Sequence, residues 1–313
     1  MSQSVSASVS PSPGRSGSRE LVWLVVCLVS VHATMASSRV LGSLWALHEG
    51  HGEWVAGVLL GLYSVGPLTM ALWAGRLADR KGFHLPVRIG ATLALACALL
   101  AWTFRRVEVL GLCALAIGMA TCIGEIATQR RAGHLASQGS DLKRVYGWIA
   151  LSTAMSNMLS PVLVGFTIDA LGYDQAFMVV ALLPVVAWCA TLRVSAVAVV
   201  AQAAGRSVLA GARALLALRP LRRILLLNFV LAAGWDVHTF AVPVIGHERA
   251  YSASTIGLIL GCCSMGAITA RALIARYSEH LDEERALRTI MAVALCTLVA
   301  YPLLPVPLIM MMG

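Results

Sequence analysis

Nine stretches of this sequence are apolar for long enough to cross a lipid bilayer, at about residues 21–47, 55–74, 85–104, 107–129, 145–171, 176–192, 224–245, 253–274 and 290–304. A hydrocarbon core roughly 30 Å thick takes about 20 residues of helix to cross. Lipid offers the backbone no hydrogen-bond partner, so runs of this kind are confined to helices. The chain is therefore predicted to be an all-α polytopic membrane protein. A further apolar run begins at Val306, and the expectation is a C-terminally truncated bundle that lacks the spans after it.

Composition supports the same class. Apolar residues make up 58% and charged residues 12% of the chain, against about half and a quarter in soluble domains. A net charge of +9 raises the question of nucleic acid, but that function needs clustered bases with stacking aromatics. Here the bases lie in the gaps between apolar runs, so no nucleic-acid partner is expected. With the N-terminus inside, only Arg105, Arg106 and Arg249 fall outside and Arg39 falls within a span; the other twenty of the 24 Lys and Arg lie on the cytoplasmic side. That bias orients the chain in an inner or plasma membrane with a cytoplasmic N-terminus.

Residues 1–20, Ser-rich with Pro and Gly, read as a disordered tail. Residues 21–192 form a six-helix bundle and 224–313 an incomplete second bundle. The Ala-rich segment 193–223 joins them, either as a basic amphipathic helix on the inner leaflet or as a flexible linker. A shift of 196 residues aligns Gly61 with Gly257, Leu62 with Leu258, Ala74 with Ala270, Leu77 with Leu273 and Arg80 with Arg276, a weak internal repeat. The eight cysteines lie inside apolar runs without C-x-x-C spacing, as packing residues do, and no metal site is expected.

Between the second and third spans, Gly75-Arg76-Leu77-Ala78-Asp79-Arg80-Lys81-Gly82 compresses an acid and three bases into a predicted cytoplasmic elbow. It resembles the G-x-L-a-D-r-x-G-r-k signature of the major facilitator superfamily of secondary transporters, with Phe83-His84 in place of the basic ending and Arg88 as the nearest substitute. The resemblance implies a gate: Gly75, Leu77, Asp79, Arg80 and Gly82 hold the cytoplasmic ends of the bundle together by docking on an eleventh helix. The alternative is a tight soluble turn. Glu125, the acid of the fourth span, is expected about 6 Å from the cytoplasmic end. It would pair with the bases of that loop as part of the gate, or with Arg130 at the interface. The arginine that the family often carries early in its fourth helix is absent.

In the fifth span, Ser156, Ser160, Pro161 and Gly165 resemble the G-x-x-x-G-P-x-x-x-G element of the family's antiporters. They read as a hinge between halves or as ordinary close packing. Charges deeper in a membrane line cavities or pair with one another. Asp236, about 18 Å along its span, is a candidate proton carrier, with His238 nearby on another face. Arg39, two turns from His32 on one helix face, is a substrate contact, an internal partner of Asp236 or a snorkelling cation. Asn157, Asn228 and Trp235 are further lining candidates.

The resemblance implies a secondary transporter that moves a small organic molecule by alternating access. The antiporter-like fifth span favours proton-coupled efflux. Uptake of an organic anion and a truncated, non-transporting membrane protein are the alternatives. No enzyme is expected, because no acid, His or metal-ligand cluster converges at a helix end; Lys81 and Lys143 fit no G-x-x-x-x-G-K-[ST] loop, which excludes ATP drive. No cofactor is implied beyond a proton gradient, and the expected unit is a monomer in the lipid bilayer.

Overall fold

A computed structural model describes residues 16–137, 142–195 and 217–277, with a few single residues between 289 and 299. These residues form eight helices: α1 (Ser16–His48), α2 (Glu53–Lys81), α3 (His84–Thr103), α4 (Val107–Ser137), α5 (Leu142–Leu171), α6 (Tyr173–Thr191), α7 (Arg219–Glu248) and α8 (Ala253–Tyr277). Each contains a segment long and apolar enough to cross a membrane. The chain threads up and down, so α1, α3, α5 and α7 run from one rim of the bundle, here the near rim, to the opposite or far rim. Most of the expected ninth span, the apolar run from Val306 and most of the 193–223 segment lie outside the described residues.

Helix α1 is the hub, packed on α2, α4, α5 and α6, while α8 lies along α5 and α7 touches α1, α2 and α8. Toward the far rim the core contains Leu41, Leu44, Ile117, Val164, Val242 and Ile259, drawn from α1, α4, α5, α7 and α8. Toward the near rim it contains Leu24, Cys27, Val87, Ala127 and Ala187, all from α1–α6. Large apolar side chains such as Leu68, Leu112, Phe166 and Phe229 face outward. In a bilayer that arrangement is the expected one, because lipid is as good a solvent for Leu as the core is. Cys27, Cys97, Cys113 and Cys122 are buried free thiols.

Three expectations are corrected. Helix starts at Ser16 rather than after residue 20, because Glu20 is not a tail residue: it is buried and accepts from Arg131 Nε of α4 at 2.7 Å. The segment Gly75–Lys81 is not an elbow but the last two turns of α2. Nothing in it breaks a helix, and Ala74 and Ala78 are fully buried beside α4. Only Gly82 turns, with φ 72 and its N–H bonded to Ala78 O, a conformation natural to glycine. Finally, α4 runs on to Ser137, which places Glu125 about three turns from the end of its helix rather than one. Arg130 and Arg131, which mark a membrane edge in the sequence, are each paired with an acid of another helix, Arg130 with the exposed Asp79 of α2 and Arg131 with the buried Glu20 of α1.

Candidate functional site

Midway through the bundle, α1, α2, α5, α7 and α8 surround a narrow cleft lined by Met35, Arg39, Val40, Leu60, Asn157, Pro161, Trp235, His238, Thr239, Leu260 and Ser264. Across it, Arg39 Nη2 of α1 donates to Asp236 Oδ1 of α7 at 2.6 Å. Of the sequence alternatives for Arg39, the structure has the internal pair. The two partners are unequal: the Arg39 side chain is 13% exposed and that of Asp236 47%. Arg39 Nε is buried without an acceptor among the described residues. The charges come from elements 197 positions apart in the chain, so any movement of α7 away from α1 must break them.

Asp236 and His238, on different faces of α7, are served by different surroundings. His238 is buried in the cleft wall, with its ring 6.0 Å from that of Trp235. Trp235 and Asn157 line the cleft. Asn228 does not, and is corrected: it lies two turns nearer the near rim, where α7 parts from α1–α6 and Leu225, Leu226, Phe229 and Val230 are exposed around it. His32 is not in the cleft either. It sits deeper in α1–α6, its Nε2 3.4 Å from Glu125 Oε1 of α4.

That contact corrects the expected partner of Glu125. Neither the bases of the 75–82 segment nor Arg130 reaches it; Gln129 Nε2 donates to it at 2.8 Å. Arg130 is held by Asp79, Nη1 to Oδ1 at 2.6 Å. Asp79 therefore bonds within α1–α6, from α2 to α4, and Leu77 packs beside Ala74, Cys122 and Ile123. Arg80 and Gly75 make no comparable contact: Arg80 is exposed and the space beside Gly75 is open. Arg88 leans on α6, its Nε donating to Thr191 Oγ1 at 3.1 Å.

The Ser156–Gly165 stretch is the surface on which α8 lies. Methyl groups added at Gly165 or Gly257 would run into the carbonyls of Ala253 and Pro161, so the two backbones touch there, and one at Gly261 would run into the Val162 side chain. Ser264 Oγ donates to Asn157 O at 3.1 Å, and Ser156 Oγ donates to Val29 O of α1 at 3.0 Å. At the far rim, Asp169 accepts from Ala253 N at 3.1 Å and Ser254 N at 2.8 Å, so a residue ending α5 caps the start of α8. Such a carboxylate satisfies orphan N–H groups and meets the positive end of the helix dipole.

The sequence does not show the capping role of Asp169, which there only resembles the family's exit into the sixth helix, or the Glu20–Arg131 pair. Both acids sit at the margins of apolar runs, where acids are ordinary, and only a partner from another helix distinguishes them. Among the described residues no three of His, Cys, Asp and Glu converge as a metal shell would require.

The named contacts between α7–α8 and α1–α6 run from the far rim to the level of Asn157. Toward the near rim, most of the first half of α7 is exposed.

Comparison with known proteins agrees with this geometry. The chain aligns over 82% of its length with crystal structures of the nucleoside transporter NupG. For a single-substitution mutant the TM-score is 0.63 at 15% identity over 69% of that chain; for NupG itself it is 0.61 at 15% over 68%. No curated protein matches. The model of the Major Facilitator Superfamily matches residues 24–313. A multi-pass, all-helical chain of this architecture, matched by that model over almost its entire length, belongs to the Major Facilitator Superfamily of transporters.

Proposed function

We propose that this transporter carries a small organic solute through the Arg39–Asp236 cleft by alternating access, driven by a proton gradient in the direction of export and without covalent chemistry. The observation that carries the reading is the ion pair itself. Arg39 of α1 lines the cleft and pairs at membrane depth with Asp236 of α7, so the pair bridges elements that would separate if the bundle rocked. Charges in such a place are expensive in lipid and are kept where they face a partner or a wet pathway. Further support comes from the far rim, where the Asp169 cap and the glycine contacts of α5 and α8 provide a closure that can form and break as a unit. The excess of Lys and Arg on the connections assigned to the near rim favours placing that rim in the cytoplasm.

Uptake of an organic anion is the second reading, favoured by one observation: Arg39 keeps a buried Nε without an acceptor, and a carboxylate or phosphate oxygen is the natural occupant. Counterflow in proteoliposomes with cationic, neutral and anionic organic solutes separates the two. Export predicts exchange that is saturable, lost in Arg39→Gln and Asp236→Asn, and driven by acid on the side the solute leaves for. Anion uptake predicts the opposite dependence on the gradient. No saturable exchange with any solute would leave a membrane protein that does not transport.

A further inference from the structure

The ionisable side chains of α1–α6 are sparse at membrane depth. Between Glu20 and Arg39, α1 carries only His32; between Glu108 and Arg130, α4 carries only Glu125. Charged or imidazole side chains are absent from α2 between Glu53 and Arg76, from α5 between Arg144 and Asp169, and from α6 between Asp174 and Arg193, while α3 has only its first residue, His84, against Val194 O, and Arg88, beside α6. Two helices with one such group apiece bring those two groups together, Nε2 to Oε1 at 3.4 Å. The meeting is built into the packing: Gly124, next to Glu125, leaves room for Val31, next to His32, with a methyl there lying 3.3 Å from Val31 Cγ1.

The surroundings are otherwise neutral. Helix α5 meets this stretch of α1 through the Ser156 hydroxyl, and α4 adds Cys122, Thr128 and the Gln129 amide, which donates to Glu125. The nearest fixed charges, Arg130 and Arg131, are each already paired, with Asp79 and Glu20. His32 is sealed, its side chain 9% exposed, whereas that of Glu125 is 31% exposed.

From this we infer that the His32–Glu125 pair is the proton-carrying site, separate from the solute cleft. The inference rests on the proposed transport reading for its purpose but not for its geometry. When the bundle opens to the far rim the pair takes up a proton from far-side water, held on His32 Nε2 beside Glu125, and gains one positive charge; when it opens to the near rim Glu125, the wetter member, passes that proton on to near-rim water. His32 and Arg39 lie on one face of α1, roughly 10 Å apart. At an effective dielectric of about 20, a charge gained there alters the demand of Arg39 for its counter-anion on the order of tenfold. A protonated pair tightens Arg39 on Asp236 and empties the cleft; a deprotonated one loosens it and admits solute. That is the logic of an antiporter.

Two measurements on the reconstituted full chain test this, with the proton as probe. Infrared difference spectra between about pH 5 and 8 should show a carboxyl band that moves on 13C-Glu labelling and vanishes in Glu125→Gln, and an imidazole band that vanishes in His32→Asn. Spectra lacking both in the parent protein overturn the inference. In transport, the ratio of gradient-driven accumulation to gradient-free exchange should fall about tenfold in either variant and recover in Glu125→Asp. An unchanged ratio overturns it. Bands present in a protein that exchanges no solute support the proton site and sink the transport reading instead.

Discussion

Arg39 and Asp236 divide the burden of their pair unequally, and that inequality has a measurable consequence. Arg39 is nearly enclosed, whereas almost half of the Asp236 side chain is exposed. Removing the acid strands a buried cation, which costs several kcal/mol in the usual case; removing the base leaves a carboxylate that can turn to water. Asp236→Asn is therefore expected to destabilise the detergent-solubilised protein by about 3 kcal/mol, and Arg39→Gln by under about 1 kcal/mol, read as thermal unfolding midpoints of the two variants side by side. Equal shifts would mean that the pair is not asymmetric in solution. Asp169 offers a second single-residue test. Losing a cap contributes about 1 kcal/mol, so Asp169→Ala should speed amide hydrogen exchange at Ala253 and Ser254 roughly fivefold while leaving the middle of α8 unchanged.

Among the elements, the α5–α8 crossing is the one with no slack. Alanine at an exposed helical glycine ordinarily stabilises by up to about 1 kcal/mol. At Gly257 a methyl would overlap the Pro161 carbonyl, whereas at Gly266 on the same helix nothing lies within 4 Å. Gly257→Ala should thus slow solute exchange and Gly266→Ala should not, both scored in proteoliposomes at matched protein density. The helices themselves were legible in the sequence, since a run such as 85–104 admits no other reading in lipid. Their ends were not. Glu20, Arg130 and Arg131 look like membrane-edge charges, and nothing local says that each finds a partner on another helix. The same limit governs the site. Arg39 and Asp236 stand out one by one as charges in apolar surroundings, but their pairing, and the meeting of His32 with Glu125, depend on which helices touch, which a chain of similar apolar runs does not encode locally. Glu125 shows how the two errors compound: a misplaced helix end put it beside the wrong partners.

In the proposed cycle of the whole molecule, the far rim is the closed end and the near rim the cytoplasmic one. An impermeant thiol reagent added outside intact cells should label Arg106→Cys, in the α3–α4 connection, and spare Lys81→Cys, at the end of α2, in a background without reactive native cysteines; the reverse pattern would invert the topology. The central claim is that α7–α8 rock against α1–α6 about the Arg39–Asp236 cleft. Spin labels at Glu49→Cys and His247→Cys report the far rim, and labels at Lys81→Cys and Arg222→Cys the near rim, all on exposed positions. Pulsed electron spin resonance on the reconstituted protein, across pH and with transported solute, should find two populations in which one rim shortens as the other lengthens. Distances that stay fixed at both rims under every condition, or that grow and shrink together, would contradict the account.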